Sequence, residues 1–340
     1  MPRILTSICL ATLLVVVSAS TSGAGQYHFQ YQKIFETGPN AQLDLSYFSG
    51  NVRVVSGMTD QIIVEATKTV DAVDQSEAEL VADHVEIKST QAGESVRIQT
   101  NYLQMRNKSS SFWKKLLGIG GSDSNGRVDW EIQVPINCQI MVSNTEGLID
   151  ISDIHGQVSV KSRSGSMVIS RVFGPVTISS SYSDIQLNEL EGGLDVSCTS
   201  GRLTGELLFG PVTVQQAEGS IELKFVEGDV RISSNSANID IRQDRGSLDL
   251  ATSNGSVNIF TNLDSSKDFF VETESGNINL TIPGTSSGNL RILSQTGEIK
   301  TDIPISIQRM SRKQVEGSFG VGGVEVNLIS ITGDVAVAQF

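Results

Sequence analysis

The chain is 340 residues long, carries a formal net charge of −13 and is 39% hydrophobic with 6% aromatic residues. That acidic balance excludes a partner held through nucleic-acid phosphates. Three cysteines are too few for a disulfide scaffold, and three histidines leave little for a metal centre.

Residues 1–24 read as a secretory signal. Arg3 gives the positive start, residues 4–17 the apolar segment, and Ala19 or Ala24 a small-residue cleavage site. The apolar run is too short for a spanning helix. Cys9 lacks the small residues that precede a lipidated cysteine. The expected product is therefore exported and soluble, either periplasmic or extracellular at the cell surface.

Residues 25–102 form an N-terminal β region that opens the repeat described below. Residues 42–48 and 51–55 read as strands joined through Gly50, and 62–70 as a further strand. Asp74 with Glu77 three residues on is a capping box, and Ala78, Val81, Ala82 and Val85 then share one helical face. Residues 85–89 and 95–100 form a hairpin around Gly93.

Residues 103–126 break the pattern and read as a variable insertion. Phe112, Trp113, Leu116 and Leu117 offer apolar area around Lys114 and Lys115. This mixture suits an anionic membrane surface or an acidic partner, or else a flap over an open strand edge.

Residues 127–340 carry the organising feature. From 138 to 262 a nine-residue lattice places glycine at eleven sites, including Gly147, Gly201 and Gly255, with Cys138, Ser183 and Ala237 at the others. Apolar residues follow each site two and four places later, as in Val158/Val160 and Leu194/Val196, the alternation of a strand with one buried face. From Gly147 to Gly255, twenty-five of twenty-six such positions are Val, Ile, Leu or Met. The exception is Gly205, which marks a bulge or a thinned wall.

Two places before the lattice site the character alternates. It is aliphatic at Ile136, Ile154, Val172, Leu190, Leu208 and Val226, and small or polar in the units between; Asp244 breaks the series. The true repeat is thus eighteen residues with two kinds of corner. This predicts an all-β fold, a parallel β-solenoid with two strands per coil, carrying one short helix and one insertion. Cys138 and Cys198 lie more than three coils apart, or ~16 Å at strand spacing, so both are expected as free thiols. After 262 the spacing loosens, but units persist at Gly276, Gly288, Gly297 and Gly333, with residues 317–323 read as a glycine-rich loop.

The order of motifs is an opening Ser49-Gly50-Asn51-Val52-Arg53-Val54, a strand Ile62-Ile63-Val64-Glu65-Ala66-Thr67, a long run of Gly-x-Val-x-Val units, and a closing Ile331-Thr332-Gly333-Asp334-Val335. Over roughly residues 35–340 this resembles the bacterial putative adhesin family, domain of unknown function 4097. The resemblance implies a β-solenoid and a loose association with adhesion, and supplies no active site.

No chemistry stands out. Calcium β-rolls need Gly-Gly-x-Gly-x-Asp in successive turns, and Gly-Gly occurs in the lattice only at 192–193. The corner row Asp153, Arg171, Glu189, with His155 and Glu191 nearby, could serve a polysaccharide-active enzyme on a parallel β-helix, but it also reads as charge pairing along a ladder. No catalytic, cofactor or metal residues are assigned. The expectation is an exported, non-enzymatic binding or structural module whose partner is a cell-surface glycan, an envelope protein or an anionic membrane surface. Candidate contacts are Phe112, Trp113, Lys114, Lys115 and Leu116 in the insertion. Phe173 and Phe209 join them, from a Phe-Gly-Pro-Val-Thr motif repeated two coils apart.

Overall fold

The computed structural model describes residues 15–16, 25–58, 60–102, 126–263 and 267–340. The expected signal, residues 1–24, and the expected insertion, 103–126, therefore lie outside the described residues, apart from Val15–Val16 and Gly126. The fold is all-β with one short helix, a mostly parallel solenoid, and the chain forms two compact units, Met1–Gly165 and Ser166–Phe340. Among the described residues no helix is long and apolar enough to cross a membrane.

The first unit contains β1 (Val15–Val16), β2 (Gly25–Glu36), β3 (Gln42–Ser46), β4 (Val52–Ser56), β5 (Gln61–Ala72), α1 (Gln75–His84), β6 (Val85–Ala92), β7 (Ser95–Tyr102), β8 (Gly126–Val134), β9 (Gln139–Ser143) and β10 (Leu148–Ile154), with the opening of β11 (Val158–Phe173). One ladder runs β7–β3–β9–β11 and a second β8–β4–β10, all parallel. Chain order is broken here. β7 and β8 follow β3 and β4 in sequence, yet pair on the side of them opposite β9 and β10. The detour is carried by antiparallel strands: β6 lies on β7, while β2 lies on β5 and β5 on β8. α1 begins where Asp74 accepts the Glu77 N–H at 2.8 Å and Glu77 in turn accepts the Val73 N–H at 3.0 Å. Its buried Ala78, Val81 and Ala82 pack with Phe29, Val70 and Ala72 of β2 and β5.

The second unit takes the rest of β11, then β12 (Val176–Glu191), β13 (Leu194–Phe209), β14 (Val212–Glu227), β15 (Val230–Arg245), β16 (Leu248–Asn254), β17 (Val257–Thr261), β18 (Phe269–Ser275), β19 (Ile278–Ile282), β20 (Gly288–Ser294), β21 (Ile299–Thr301), β22 (Ser306–Ser311), β23 (Gln314–Phe319), β24 (Val324–Ser330) and β25 (Val335–Gln339). β12 to β15 are each one full coil, bent at a corner, and pair in parallel with an eighteen-residue offset. Val176, Leu194, Val212, Val230, Leu248 and Phe269 therefore form one buried column. All twenty-six inward positions from Gly147 to Gly255 are buried. Gly205 is no bulge: its register is unbroken, and an added Cβ would lie 2.9 Å from Leu208 Cδ1 and 3.0 Å from Leu223 Cδ2. The wall thins there because neighbouring leucines fill the space.

The two corners differ in physics. At the aliphatic corner the residue before the buried one takes a left-handed conformation. Asp153 does so in the first unit, and Arg171, Glu189, Leu207 and Phe225 in the second, with φ between 52° and 63°. The buried side chain is then Ile154, Val172, Leu190, Leu208 or Val226. Ile136 departs from the expected series: Pro135 is buried in its stead and Ile136 is 42% exposed, turned out by a tight turn in which Cys138 N–H bonds Pro135 O. The break at Asp244 also resolves. The register slips, Gln243 fills the column under Val226, and its Nε2 donates to Gly228 O and Ser247 O at 2.8 and 3.0 Å.

The other corner buries a polar row, which in the second unit includes Ser180, Gln216, Ser234, Thr252 and Thr273 together with Cys198. Three of them hold the turn backbone: Thr252 Oγ1 donates to Asn254 O, Gln216 Nε2 to Gly201 O and Glu218 O, and Cys198 Sγ to Ser200 O. Cys138 and Cys198 are both buried and unbridged. Burial raises both thiols, that of Cys138 to about 12.

Where an Asn or Asp follows the lattice site, it ties its coil to the next. Asp184 accepts the Arg202 N–H, Asp229 the Ser247 N–H and Asn238 the Ser256 N–H. At the C-terminal end the same links record a second break in chain order. Asn277 accepts from Asp334 N–H and Asp334 from Glu298 N–H. The last coil of the sequence, β24 with β25, is thus inserted between β18/β19 and β20/β21. The expected loop over 317–323 is shorter than read. Gly317 lies within β23, where a Cβ would meet Ile305 Cγ2 at 2.6 Å.

Candidate functional site

Phe112, Trp113, Lys114, Lys115 and Leu116 lie outside the described residues. Phe173 and Phe209 are 40% and 37% exposed at the ends of β11 and β13. Phe209 stands in register between Glu191 and Glu227, so carboxylates interrupt any aromatic strip along that corner. The row Arg171, Glu189, Leu207, Phe225 is defined by backbone conformation rather than by repeating charge.

The structure instead assembles a face that inward-looking periodicity does not reveal. Outward side chains alternate with the buried Leu187, Leu223, Ile241, Ile259 and Leu280. Across six neighbouring legs the register aligns Gln186, Thr204, Glu222, Asp240, Asn258 and Asn279 in one row. Two residues further on lies a second row: Asn188, Glu206 and Lys224, then Arg242, Phe260 and Thr281. Five strand spacings make this face ~24 Å long. It holds two adjoining shallow depressions of about 250 and 300 Å³, which share Glu222 and Lys224.

The last three members of the first row form a hydrogen-bond chain. Asn279 Nδ2 donates to Asn258 Oδ1 at 2.8 Å, and Asn258 Nδ2 to Asp240 Oδ1 at 2.7 Å. Lys224 pairs with Glu222, which raises the lysine above its ordinary value through a hydrogen bond and charge attraction. In the second row the Arg242 guanidinium lies 5.0 Å from the Phe225 ring centroid and 4.9 Å from that of Phe260. Phe260 then stacks on Phe340 at 4.2 Å with an 18° interplanar angle. Phe340 is fixed by its backbone, donating to Ile282 O and accepting from Gly284 N–H, while 56% of it stays exposed. Ring, guanidinium, ring and ring thus stack along the coil direction beside a row of amides and carboxylates. Among the described residues no group of three or more potential metal ligands is gathered.

The sequence signal for this face lies at the lattice positions three and five places after each site. Asp240 with Asn258, and Arg242 with Phe260, are eighteen residues apart.

The family model of Toastrack DUF4097 matches residues 40–338. The chain belongs to the Toastrack DUF4097 family. Solved structures show a distant likeness to this Toastrack chain. A "putative adhesin" from Parabacteroides distasonis is 11% identical, with 92% of this chain and 97% of that one covered at a TM-score of 0.28. A "putative lipid binding protein" from the same organism is 10% identical, with 92% and 96% covered at 0.30. A "putative cell adhesion protein" from Clostridium sporogenes is 10% identical, with 92% and 100% covered at 0.23. No curated protein matches the chain.

Proposed function

We propose that this Toastrack protein is an exported, non-enzymatic binding module, acting in the periplasm or at the cell surface. On this reading its second unit holds an extended glycan along the outward face of β12–β15, β17 and β19. The observation that carries the reading is the Phe225–Arg242–Phe260–Phe340 stack beside the Asp240–Asn258–Asn279 chain. An open aromatic face suits the apolar side of a sugar ring, and a row of amides and carboxylates suits its hydroxyls. Repetition at ~4.8 Å offers like contacts along a polymer rather than one enclosed pocket. Glu222 is engaged by Lys224, and Asp240 accepts from Asn258; both carboxylates orient neighbours.

The test is retention on immobilised bacterial and host polysaccharides, with release of reducing ends assayed in parallel. The reading expects retention without cleavage, weakened about tenfold by Phe340→Ala with circular dichroism unchanged. Cleavage would move the assignment to a polysaccharide-active enzyme. Absence of retention on every polysaccharide would overturn the glycan reading.

A further inference from the structure

The strand β22 (Ser306–Ser311) differs from the other legs of the second unit. Among the described residues its only pairing is with β23, antiparallel, so its other edge is open. Every residue in it is exposed. The pairing slips between Ile307 and Arg309: Ile307 lies opposite Gly317, Arg309 opposite Glu316 and Met310 opposite Val315. One extra residue, Gln308, is thereby absorbed as a bulge.

The bulge has a chemical effect. In a regular strand Ile307 and Met310, three residues apart, would point to opposite faces. Here both oppose odd-numbered residues of β23, so both stand on the face where Val315 and Phe319 are buried. They are nevertheless 54% and 69% exposed. The guard charge of this edge is also turned away: Arg309 Nη1 reaches back to Glu316 Oε2 at 3.4 Å.

We propose that this edge pairs antiparallel with β22 of a second copy of the chain. The sequence of the strand, Ser306-Ile307-Gln308-Arg309-Met310-Ser311, complements itself when reversed. Centred between Gln308 and Arg309, a two-fold axis sets serine opposite serine, Ile307 opposite Met310 and Gln308 opposite Arg309. In this register no like charges oppose each other. The basic turn residues Arg312 and Lys313 fall at opposite ends of the joined strands. Two apolar pairs form on the face that Ile307 and Met310 share with Val315 and Phe319. An edge of six residues is small, so the dimer is weak, with a dissociation constant in roughly the micromolar range.

The experiment uses the full chain with Cys9→Ser, since Cys138 and Cys198 are buried. Sedimentation equilibrium at roughly 10–200 µM brackets the expected constant. It should show a monomer–dimer equilibrium, with Met310→Lys raising the dissociation constant about tenfold or more. Register is read by disulfide trapping. Mixing Ile307→Cys chains with Met310→Cys chains under mild oxidation should give a linked dimer, whereas either variant alone should not. A strictly monomeric wild type would overturn the proposal. So would linkage within Ile307→Cys alone, or an unchanged constant in a folded Met310→Lys variant.

Discussion

Arg242 and Phe260 stand directly opposite each other on β15 and β17, eighteen residues apart, with the guanidinium 4.9 Å from the ring centroid. The pair shows how a solenoid builds a surface: one coil offset converts a sequence interval into a side-chain contact. Because the Phe225 ring lies 5.0 Å from the same guanidinium, the charge sits between two rings. A double-mutant cycle on Arg242→Ala and Phe260→Leu should return a coupling of about 0.5–1 kcal/mol, the range of a solvent-exposed cation–π contact. Additive effects in thermal denaturation would show that the two residues are merely adjacent.

Gln243 predicts a larger effect. It is fully buried, and its amide satisfies two carbonyls, Gly228 O and Ser247 O. Gln243→Leu supplies comparable bulk and removes an unpartnered buried Oε1, but leaves both acceptors without this donor, for a net cost of about 1–3 kcal/mol in urea unfolding. A variant as stable as wild type would show that water replaces the amide at this corner.

Left-handed corners predict asymmetry between two substitutions. Leu207 holds φ at 58° with its side chain half-exposed, so Leu207→Gly relieves backbone strain and should be neutral or stabilising by up to about 1 kcal/mol. Gly201 holds φ at 144°, and an added Cβ would lie 2.0 Å from Ser183 O. Gly201→Ala should therefore lower the melting temperature sharply. Equal effects of the two would contradict the assigned corners.

Asp229 gives a pH dependence. The Ser247 backbone N–H that it accepts, with help from the Ser247 side chain and Lys267, holds its carboxyl below the usual value. A carboxyl depressed in the folded state adds stability above its unfolded pKa of about 3.9, and that stability is lost as pH falls through the folded value. Asp229→Asn keeps an oxygen acceptor without the proton. The wild type should therefore lose more stability than the variant between neutral pH and about pH 3. Parallel melting curves for the two proteins would show that this link does not sense protonation.

Much of this architecture was legible in the residues. Inward positions were readable because burial selects Val, Ile and Leu at a period of two, and stacking repeats that choice every eighteen residues. Asp74 and Glu77 marked the helix start through the capping hydrogen bonds they form. The breaks in coil order were not legible. A lattice reports which residues are neighbours only where spacing is constant, and the excursions that place β7/β8 beside β3/β4, or β24/β25 between β18/β19 and β20/β21, carry no fixed spacing. Asp244 announced a defect without saying that Gln243 would repair it. The outward face of β12–β15, β17 and β19 was hidden for a different reason. Outward positions are free to vary, so Lys224, Arg242 and Phe260 look like scatter until the register sets them side by side.

Hydrogen–deuterium exchange, with and without the polysaccharide that retains the protein most strongly, tests the central claim most directly. The proposed glycan contact predicts slowed exchange in β14, β15, β17 and β19, centred on Asp240 to Arg242 and on Asn258 to Phe260. It also predicts no slowing around Phe173 and Phe209. Protection confined to that corner or to the first unit, with none at Arg242 and Phe260, would contradict it.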